Sequence, residues 1–227
     1  DGSGNVFVTD QYNHRIQKFD SSGTWLAAWG SYGTGDGQFN YPIDVAIDTS
    51  GNVYIADNNN NRIQKFDNNG LYLGQWGSSG TGDGQFAYPY GVAVDGAGNV
   101  YVADTENHRI QKFDNNGLYL GQWGSYGSSN GLFNNPYGVE VDGSGNVYVS
   151  DTYNHRIQKF DSAGTWLATW GGYGSGNGLF SYPSGLAMDV LGNVYVTDAN
   201  SLVQKFDANG AFLTQWGGYG SANSQFA

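Results

Sequence analysis

Gly98-Asn99-Val100-Tyr101-Val102-Ala103-Asp104 is the stretch that decides the fold of this chain. Its opening tripeptide, Gly-Asn-Val, recurs at a constant spacing of 47 residues. The copies begin at Gly4, Gly51, Gly98, Gly145 and Gly192. A fixed period in the forties is typical of solenoids and propellers, in which each repeat is one supersecondary unit. The sequence therefore predicts five repeat units, beginning near residues 1, 48, 95, 142 and 189, within a single domain of residues 1–227.

Each unit resolves into four strand signals separated by turn signals. In the third unit the strand signals are residues 92–94, 100–103, 110–113 and 118–123, which are rich in β-branched, aromatic and leucine residues. Gly, Asn and Ser dominate the turns, and Asn116-Gly117 is a tight-turn signal. Four strands without a helical period predict one antiparallel sheet per repeat, which must stack on its neighbours to bury both faces.

A tryptophan recurs at the end of the fourth strand of every unit, and we expect it to pack between neighbouring sheets. These residues are Trp29, Trp76, Trp123, Trp170 and Trp216. The predicted fold class is all-β: a β-propeller of five four-stranded antiparallel blades.

Three motifs of the chain resemble those of a known family. They have the forms Val-Tyr-Val-Ala-Asp, Asn-His-Arg-Ile-Gln-Lys-Phe-Asp and Pro-x-Gly-Val-Ala-Val-Asp, and they recur four or five times, with small variations, over essentially the whole chain. They are similar to NHL repeats, named for an Asn-His-Leu-like tripeptide between the second and third strands. The resemblance implies a propeller, usually of six blades. The five repeats leave two alternatives open, a five-bladed ring and the five-blade portion of a six-bladed ring.

The fifth unit and the chain ends depart from the repeat. After Asp198 the fifth unit is one residue shorter, so that residues 199–202 replace residues 152–156 and neither His nor Arg is kept. By register, the seven residues that would complete the period after Ala227 correspond to residues 182–188, the innermost strand of a blade. We therefore expect one blade to lack its innermost strand and to present an unpaired edge to a partner protein or to a second copy of the chain.

The charge balance excludes some classes of partner. Nine basic residues against 20 acidic ones give a formal net charge of −11. Phosphate binding needs a dense cationic surface, so we expect no nucleic acid partner. No apolar stretch approaches the ~20 residues that span a bilayer, so we expect no membrane insertion. The absence of cysteine excludes disulfides and thiolate metal sites.

The histidines raise the question of a metal site, since NHL-type lyases bind metal through histidines. His14, His108 and His155 occupy the same position in their repeats, directly before an arginine. Symmetry-equivalent residues share one ion only close to the axis, because Zn–N distances are about 2.0–2.1 Å. The turn that carries them should lie at least one strand spacing, roughly 5 Å, outside the innermost strands. We therefore predict no metal site and no cofactor.

Two further charged features are expected to be structural. Each Arg before a third strand should pair with a nearby Asp, as Asp104 with Arg109, in exposed ion pairs of about 0–1 kcal/mol. Glu140 lies in an innermost strand where other units have alanine. A carboxylate is costly there unless it faces water or a partner, so Glu140 is predicted to face a solvated channel. A lone Glu without a second titratable group does not make an acid/base pair.

The remaining candidates are binding residues. The turn after the second strand varies most between units, and variable residues on a fixed scaffold are where partner contacts lie. The candidates in this turn are Tyr12, Asn59, Glu106 and Tyr153. Further aromatic residues are expected near the rim, where exposed rings anchor interfaces or stack on sugars. These are Trp25, Trp166, Tyr32, Tyr126 and Tyr173.

The sequence favours a non-catalytic propeller that binds a protein or assembles with copies of itself. A multivalent, lectin-like module that binds glycans through tyrosine, tryptophan and asparagine is the first alternative. A metal-dependent lyase or lactonase of the NHL type is the second. High similarity between the repeats argues against an enzyme, since an asymmetric active site needs different groups converging on one point.

Overall fold

The computed structural model of the chain describes residues 1–226 and is all-β apart from four short 3-10 helices. The chain divides into two compact units, Asp1–Gln122 and Trp123–Ala227, which are described separately below. The expected single domain stays a prediction.

The strands of the first unit are short, five or six residues each. They are β1 (Val6–Asp10), β2 (Arg15–Phe19), β3 (Trp25–Trp29), β4 (Pro42–Ile47), β5 (Val53–Asp57), β6 (Arg62–Phe66), β7 (Tyr72–Trp76), β8 (Pro89–Val94), β9 (Val100–Asp104), β10 (Arg109–Phe113) and β11 (Tyr119–Trp123), whose last residue begins the second unit. The second unit continues with β12 (Pro136–Val141), β13 (Val147–Asp151), β14 (Arg156–Phe160), β15 (Trp166–Gly171), β16 (Leu186–Met188), β17 (Val194–Asp198), β18 (Leu202–Phe206) and β19 (Phe212–Gly217). The 3-10 helices are Gln11–Asn13, Asn58–Asn60, Thr105–Asn107 and Thr152–Asn154.

Consecutive strands pair as antiparallel neighbours in five sheets, each of which is one blade. Four sheets have four strands, β4 to β7, β8 to β11, β12 to β15 and β16 to β19, and the first has three, β1 to β3. This is the predicted fold class, including the prediction that one blade lacks its innermost strand. The predicted strand bounds of the third unit agree with β8 to β11 at most ends to within one residue, although β8 starts three residues earlier than predicted.

Aspartate and glycine fix the turn between the first two strands of a blade. One carboxylate oxygen of Asp48 accepts the backbone N–H groups of Ser50 and Asn52, at 2.9 and 2.8 Å, and the other accepts the Asn52 side chain. Gly51 adopts φ +83° in this turn, a conformation that residues with a Cβ rarely take. Asp1, Asp95, Asp142 and Asp189 organise the equivalent turns in the same way. The recurrent Asp-x-x-Gly-Asn pattern is therefore the chemistry of one turn.

Apolar side chains fill the space between successive blades within each unit. In the first unit, Trp29 lies 6.1 Å from Phe7 of its own blade and 6.0 Å from Phe66 of the next, measured between ring centroids. In the second unit, Trp170 makes the equivalent pair with Tyr148 and Phe206, both at 6.1 Å. These tryptophans pack between blades, as the sequence predicts.

A buried polar network ties the connection between two blades to the second of them. Arg109 donates from Nε to Asp104 at 2.7 Å. Its other N–H groups donate to the carbonyl oxygens of Thr81, Gly82 and Gln85 at 2.8–2.9 Å and to the Gln122 side chain at 2.7 Å. The Asp104 carboxylate also accepts the side chain of the fully buried Gln111.

The prediction for the arginines was incomplete, because it did not include the burial of this network. The ion pair of Asp104 with Arg109 is present, but it is buried rather than exposed, with 7% of the arginine side chain accessible. Arg62 and Arg156 are also largely buried, whereas Arg15 is 42% exposed. The sequence shows the two partners but not the connection of residues 77–88 that covers them.

We expect Arg109→Leu to lower the free energy of unfolding by about 3–5 kcal/mol, because it leaves the Asp104 carboxylate buried without its cation. Leucine occupies this register naturally in the fifth blade, at Leu202, so its shape suits the sheet. Urea unfolding followed by tryptophan fluorescence measures the change. The matched control is Arg15→Leu at the exposed pair, for which about 1 kcal/mol is expected. Equal losses in the two variants would contradict the assignment.

Candidate binding surfaces

The repeat position of the histidines is explained by backbone geometry. His14 ends a 3-10 helix with φ +53°, in the left-handed region that Asn and His enter more readily than most residues. Its Nδ1 atom accepts the backbone N–H of Tyr41 at 3.2 Å. Asn61 replaces histidine in the second blade, and its Oδ1 accepts the N–H of Tyr88 at 2.8 Å. The position therefore needs a side chain that tolerates positive φ and accepts a hydrogen bond.

In the first unit this histidine is the centre of an aromatic cluster, here named the unit-1 patch and formed by Tyr12, His14, Tyr32 and Tyr41. The His14 ring lies 5.0 Å from Tyr32 and 5.3 Å from Tyr41. Tyr12 meets Tyr41 edge-on at 5.5 Å. Tyr12 and Tyr32 are 77% and 68% exposed, so the patch presents large apolar surface with phenol groups to solvent.

The second unit carries an equivalent cluster, the unit-2 patch, formed by Tyr153, His155, Tyr173 and Tyr182. The His155 ring lies 4.9 Å from Tyr173 and 4.6 Å from Tyr182. Tyr153 meets Tyr182 at 5.3 Å, and Tyr173 is 75% exposed. His155 accepts the N–H of Tyr182 at 3.1 Å, as His14 does from Tyr41.

The buried arginine network holds the segment that carries the unit-1 patch. Arg62 bonds to the carbonyl oxygens of Thr34, Gly35 and Gln38 at 2.7–2.9 Å, in the connection that begins just after Tyr32. In the second unit the corresponding connection has no arginine, because Leu202 occupies that register. In that blade Gln204 bonds to the connection, donating to the carbonyl of Leu179, whereas Leu202 has no polar side-chain group to do so.

The structure places four of the predicted binding residues in the two patches. Tyr12 and Tyr32 meet in the unit-1 patch, and Tyr153 and Tyr173 meet in the unit-2 patch. The remaining predicted residues are exposed but lie outside the patches: Asn59 and Glu106 in 3-10 helices, Tyr126 in a connection, and Trp25 and Trp166 on the outer strands β3 and β15. His14, Tyr41, His155 and Tyr182, which complete the two patches, were not among the predicted binding residues; all four adopt positive φ.

Glu140 lies at an open cleft of the second unit, between the turns that follow β12 and β16. Its predicted exposure to a channel is untested.

Asp44 was not among the predicted site residues. It lies in β4 where β8 and β12 have Gly91 and Gly138. Its carboxylate accepts the N–H of Val45 and, from the next blade, the N–H of Val92, both at 2.9 Å. Burial raises the pKa of Asp44 from 3.8 to about 6 despite these bonds. Asp44 therefore joins two innermost strands and titrates in the range of mildly acidic pH.

Within residues 1–226, no group of three or more His, Cys, Asp or Glu side chains is placed to hold a metal ion. Within the same residues, no helix is long and apolar enough to cross a membrane.

Comparison with known proteins agrees with this architecture. The family model of the NHL repeat matches residues 39–66, 86–113, 133–160 and 180–206, which contain the three inner strands of the second to fifth blades. The chain is an NHL-repeat protein with the β-propeller fold. No curated protein matches its sequence.

Solved structures share the fold at low sequence identity. A protein of unknown function from Bacteroides caccae superposes with a TM-score of 0.66 at 12% identity, over 93% of this chain and 72% of that one. A streptogramin B lyase superposes at 0.69 and 15% identity, over 95% of this chain and 66% of the lyase. U3-55K superposes at 0.68 and 10% identity, over 90% of this chain and 58% of its own length. The chain thus spans less than two thirds of the latter two proteins, and the likeness concerns the fold alone.

We expect His14→Ala to lower the free energy of unfolding by about 1–2 kcal/mol, because alanine is strained at φ +53° and leaves the Tyr41 N–H without its acceptor. His14→Asn should change it by less than half of that, since Asn61 performs both tasks in the second blade. Urea unfolding of the two variants measures the difference. Similar losses in both would show that the imidazole has a further role.

We expect Asp44→Asn to raise the free energy of unfolding at pH 7 by on the order of 1–3 kcal/mol. Because the pKa of Asp44 is higher in the folded chain than in the unfolded chain, its contribution to stability is complete below pH about 4 and is lost as pH rises through about 6. Asparagine removes the titration and keeps an acceptor for the Val92 N–H, while the Val45 N–H loses its carboxylate partner. Urea midpoints of the parent chain and the variant between pH 4 and 8 measure the effect. A variant whose midpoints depend on pH as those of the parent chain do would contradict the prediction.

Proposed function

We propose that this chain is a non-catalytic binding propeller that recognises a partner protein through the unit-1 and unit-2 patches. The observation that carries the proposal is a cluster found at the same repeat position in both units: two tyrosines contact one histidine, and a third tyrosine contacts one of those two.

The chemistry of the patches suits protein recognition. Tyrosine supplies a large contact area at a low cost in side-chain entropy, and it is enriched among the residues that dominate binding energies. Edge-on ring contacts and the buried network behind Tyr32 hold the unit-1 patch in place before a partner arrives. This preorganisation reduces the entropy that ordering the interface would otherwise cost.

The net charge of −11 favours a different protein over a second copy of the chain, because two equally acidic copies repel one another. Self-association through the edge of the three-stranded blade stays a prediction. Sedimentation velocity at physiological salt tests it, since a chain that remains monomeric at high concentration would exclude self-assembly.

The glycan and enzyme alternatives make different predictions. A lectin would bind oligosaccharides on a glycan array with loss of affinity in the same tyrosine variants. A metal-dependent lyase or lactonase would contain stoichiometric metal when purified, which elemental analysis detects.

The proposal is tested with peptides selected from a random library displayed on phage, using the full chain as bait. We expect the selected peptides to bind two sites per chain in calorimetric titrations. Tyr12→Ser should remove one site, by weakening it at least tenfold, and the Tyr12→Ser, Tyr153→Ser double variant should remove both.

The matched control is Leu73→Ser, which removes an exposed apolar side chain from β7, outside both patches. It should leave the stoichiometry and the affinity unchanged. A selection in which every peptide binds the double variant as tightly as the parent chain would contradict the proposal.

A further inference from the structure

The second unit contains an open cleft of about 650 Å³ between its two blades β12 to β15 and β16 to β19. Its walls are the first turns of the two blades and the turn before β19. The side chains that matter for its chemistry are Glu140, Asp142, Met188, Val190 and Leu191.

The other repeats provide an internal reference for this cleft. Glu140 replaces the alanines Ala46 and Ala93, and Val190-Leu191 replaces Thr49-Ser50 and Gly96-Ala97. Ala208 stands where the other repeats have polar residues, Ser21, Asn68, Asn115 and Ser162. All three departures from the repeat therefore line the same cleft, although they lie up to 68 positions apart in the sequence.

The residue at the position of Ala208 spans the equivalent space in one other blade. In the first unit Asn68 reaches across to the Asp1 carboxylate, with a distance of 3.0 Å from Nδ2 to Oδ2, and so bridges two neighbouring turns. Ala208 has no side chain to make this bridge. Its carbonyl still accepts the ammonium of Lys159 at 3.0 Å, so the backbone framework is retained while the side-chain volume is lost.

Apolar and acidic groups lie side by side in the cleft. Val190 and Leu191 are 102% and 83% exposed at the tip of a turn that is polar or small in the other blades. Together with Met188 they place three apolar side chains on the walls of one cleft. The carboxylates of Glu140, Asp142 and Asp189 lie along the same walls, where Lys205 pairs with Asp189 at 3.2 Å.

We propose that this cleft binds a peptide segment of a partner protein in which basic residues alternate with large apolar ones. The apolar side chains of the segment cover Met188, Val190 and Leu191, and its guanidinium or ammonium groups meet the acidic walls near Glu140. Burying the apolar surface of both partners supplies affinity, and the carboxylates select for positive charge. The site is distinct from the aromatic patches.

The test uses a fluorescently labelled peptide of sequence Leu-Arg-Leu-Arg-Leu and the full chain, with anisotropy as the readout at pH 7.4 and physiological salt. We expect saturable binding at one site per chain. The glutamine analogue Leu-Gln-Leu-Gln-Leu and the serine analogue Ser-Arg-Ser-Arg-Ser should each bind at least tenfold more weakly, because each lacks one half of the recognition.

Three variants restore the residue found in the other repeats, so each is compatible with the fold: Glu140→Ala, Leu191→Ala and Ala208→Asn. Each should weaken binding of the arginine peptide at least tenfold while leaving the urea midpoint within error. Tyr12→Ser with Tyr153→Ser should leave this binding unchanged, which separates the cleft from the patches.

The control for the overall negative charge is Glu106→Ala, which removes an exposed carboxylate in the first unit. It should leave the affinity unchanged. No detectable binding at millimolar peptide, binding that Glu140→Ala and Leu191→Ala do not weaken, or an equal loss in Glu106→Ala and Glu140→Ala would each overturn the proposal.

Discussion

Buried hydrogen bonding of one arginine to the connection between blades is the interaction on which the connections before the second, third and fourth blades depend. A connection rich in glycine has no regular structure of its own and a large conformational entropy. Arg62 and Arg109 satisfy three of its carbonyl oxygens each, while Asp57 and Asp104 neutralise the buried charge. These bonds hold each connection in one geometry. They thereby fix the position of Tyr32, which lies near the start of the connection that Arg62 holds.

Repetition and its exceptions have separate consequences for function. Features shared by the repeats, such as the turn aspartates, the inter-blade tryptophans and the positive-φ histidines, are explained by folding alone. We then expect function in two kinds of place: where exposed side chains surround a position that the repeats share, and where other residues replace those of the repeat. Tyrosines gathered around His14 and His155 are the first case, and the cleft lined by Glu140, Leu191 and Ala208 is the second.

The fold could be predicted from the sequence almost completely, because Gly-Asn-Val recurs every 47 residues and each unit shows four strand signals. The candidate site was predicted in part. Variability and exposure identified Tyr12 and Tyr153. Only the backbone geometry shows that His14 accepts the N–H of Tyr41, which places the ring of Tyr41 beside those of His14 and Tyr12. Asp44 was missed because a single carboxylate in a short strand gives no pattern, and its pKa follows from burial between two blades. Burial of the arginines was missed because it depends on a connection that is distant in sequence.

Hydrogen–deuterium exchange of the two equivalent connections tests most directly whether the arginine network fixes them. The amides of Gly33 and Phe39 bond within a connection held by Arg62, and those of Gly174 and Phe180 bond in the same way within a connection beside Leu202, which lacks the guanidinium. Because the local hydrogen bonds match, a difference in protection reports the contribution of the arginine. The account predicts that the Gly33 and Phe39 amides exchange at least tenfold more slowly than the Gly174 and Phe180 amides. Equal exchange rates in the two connections would contradict it.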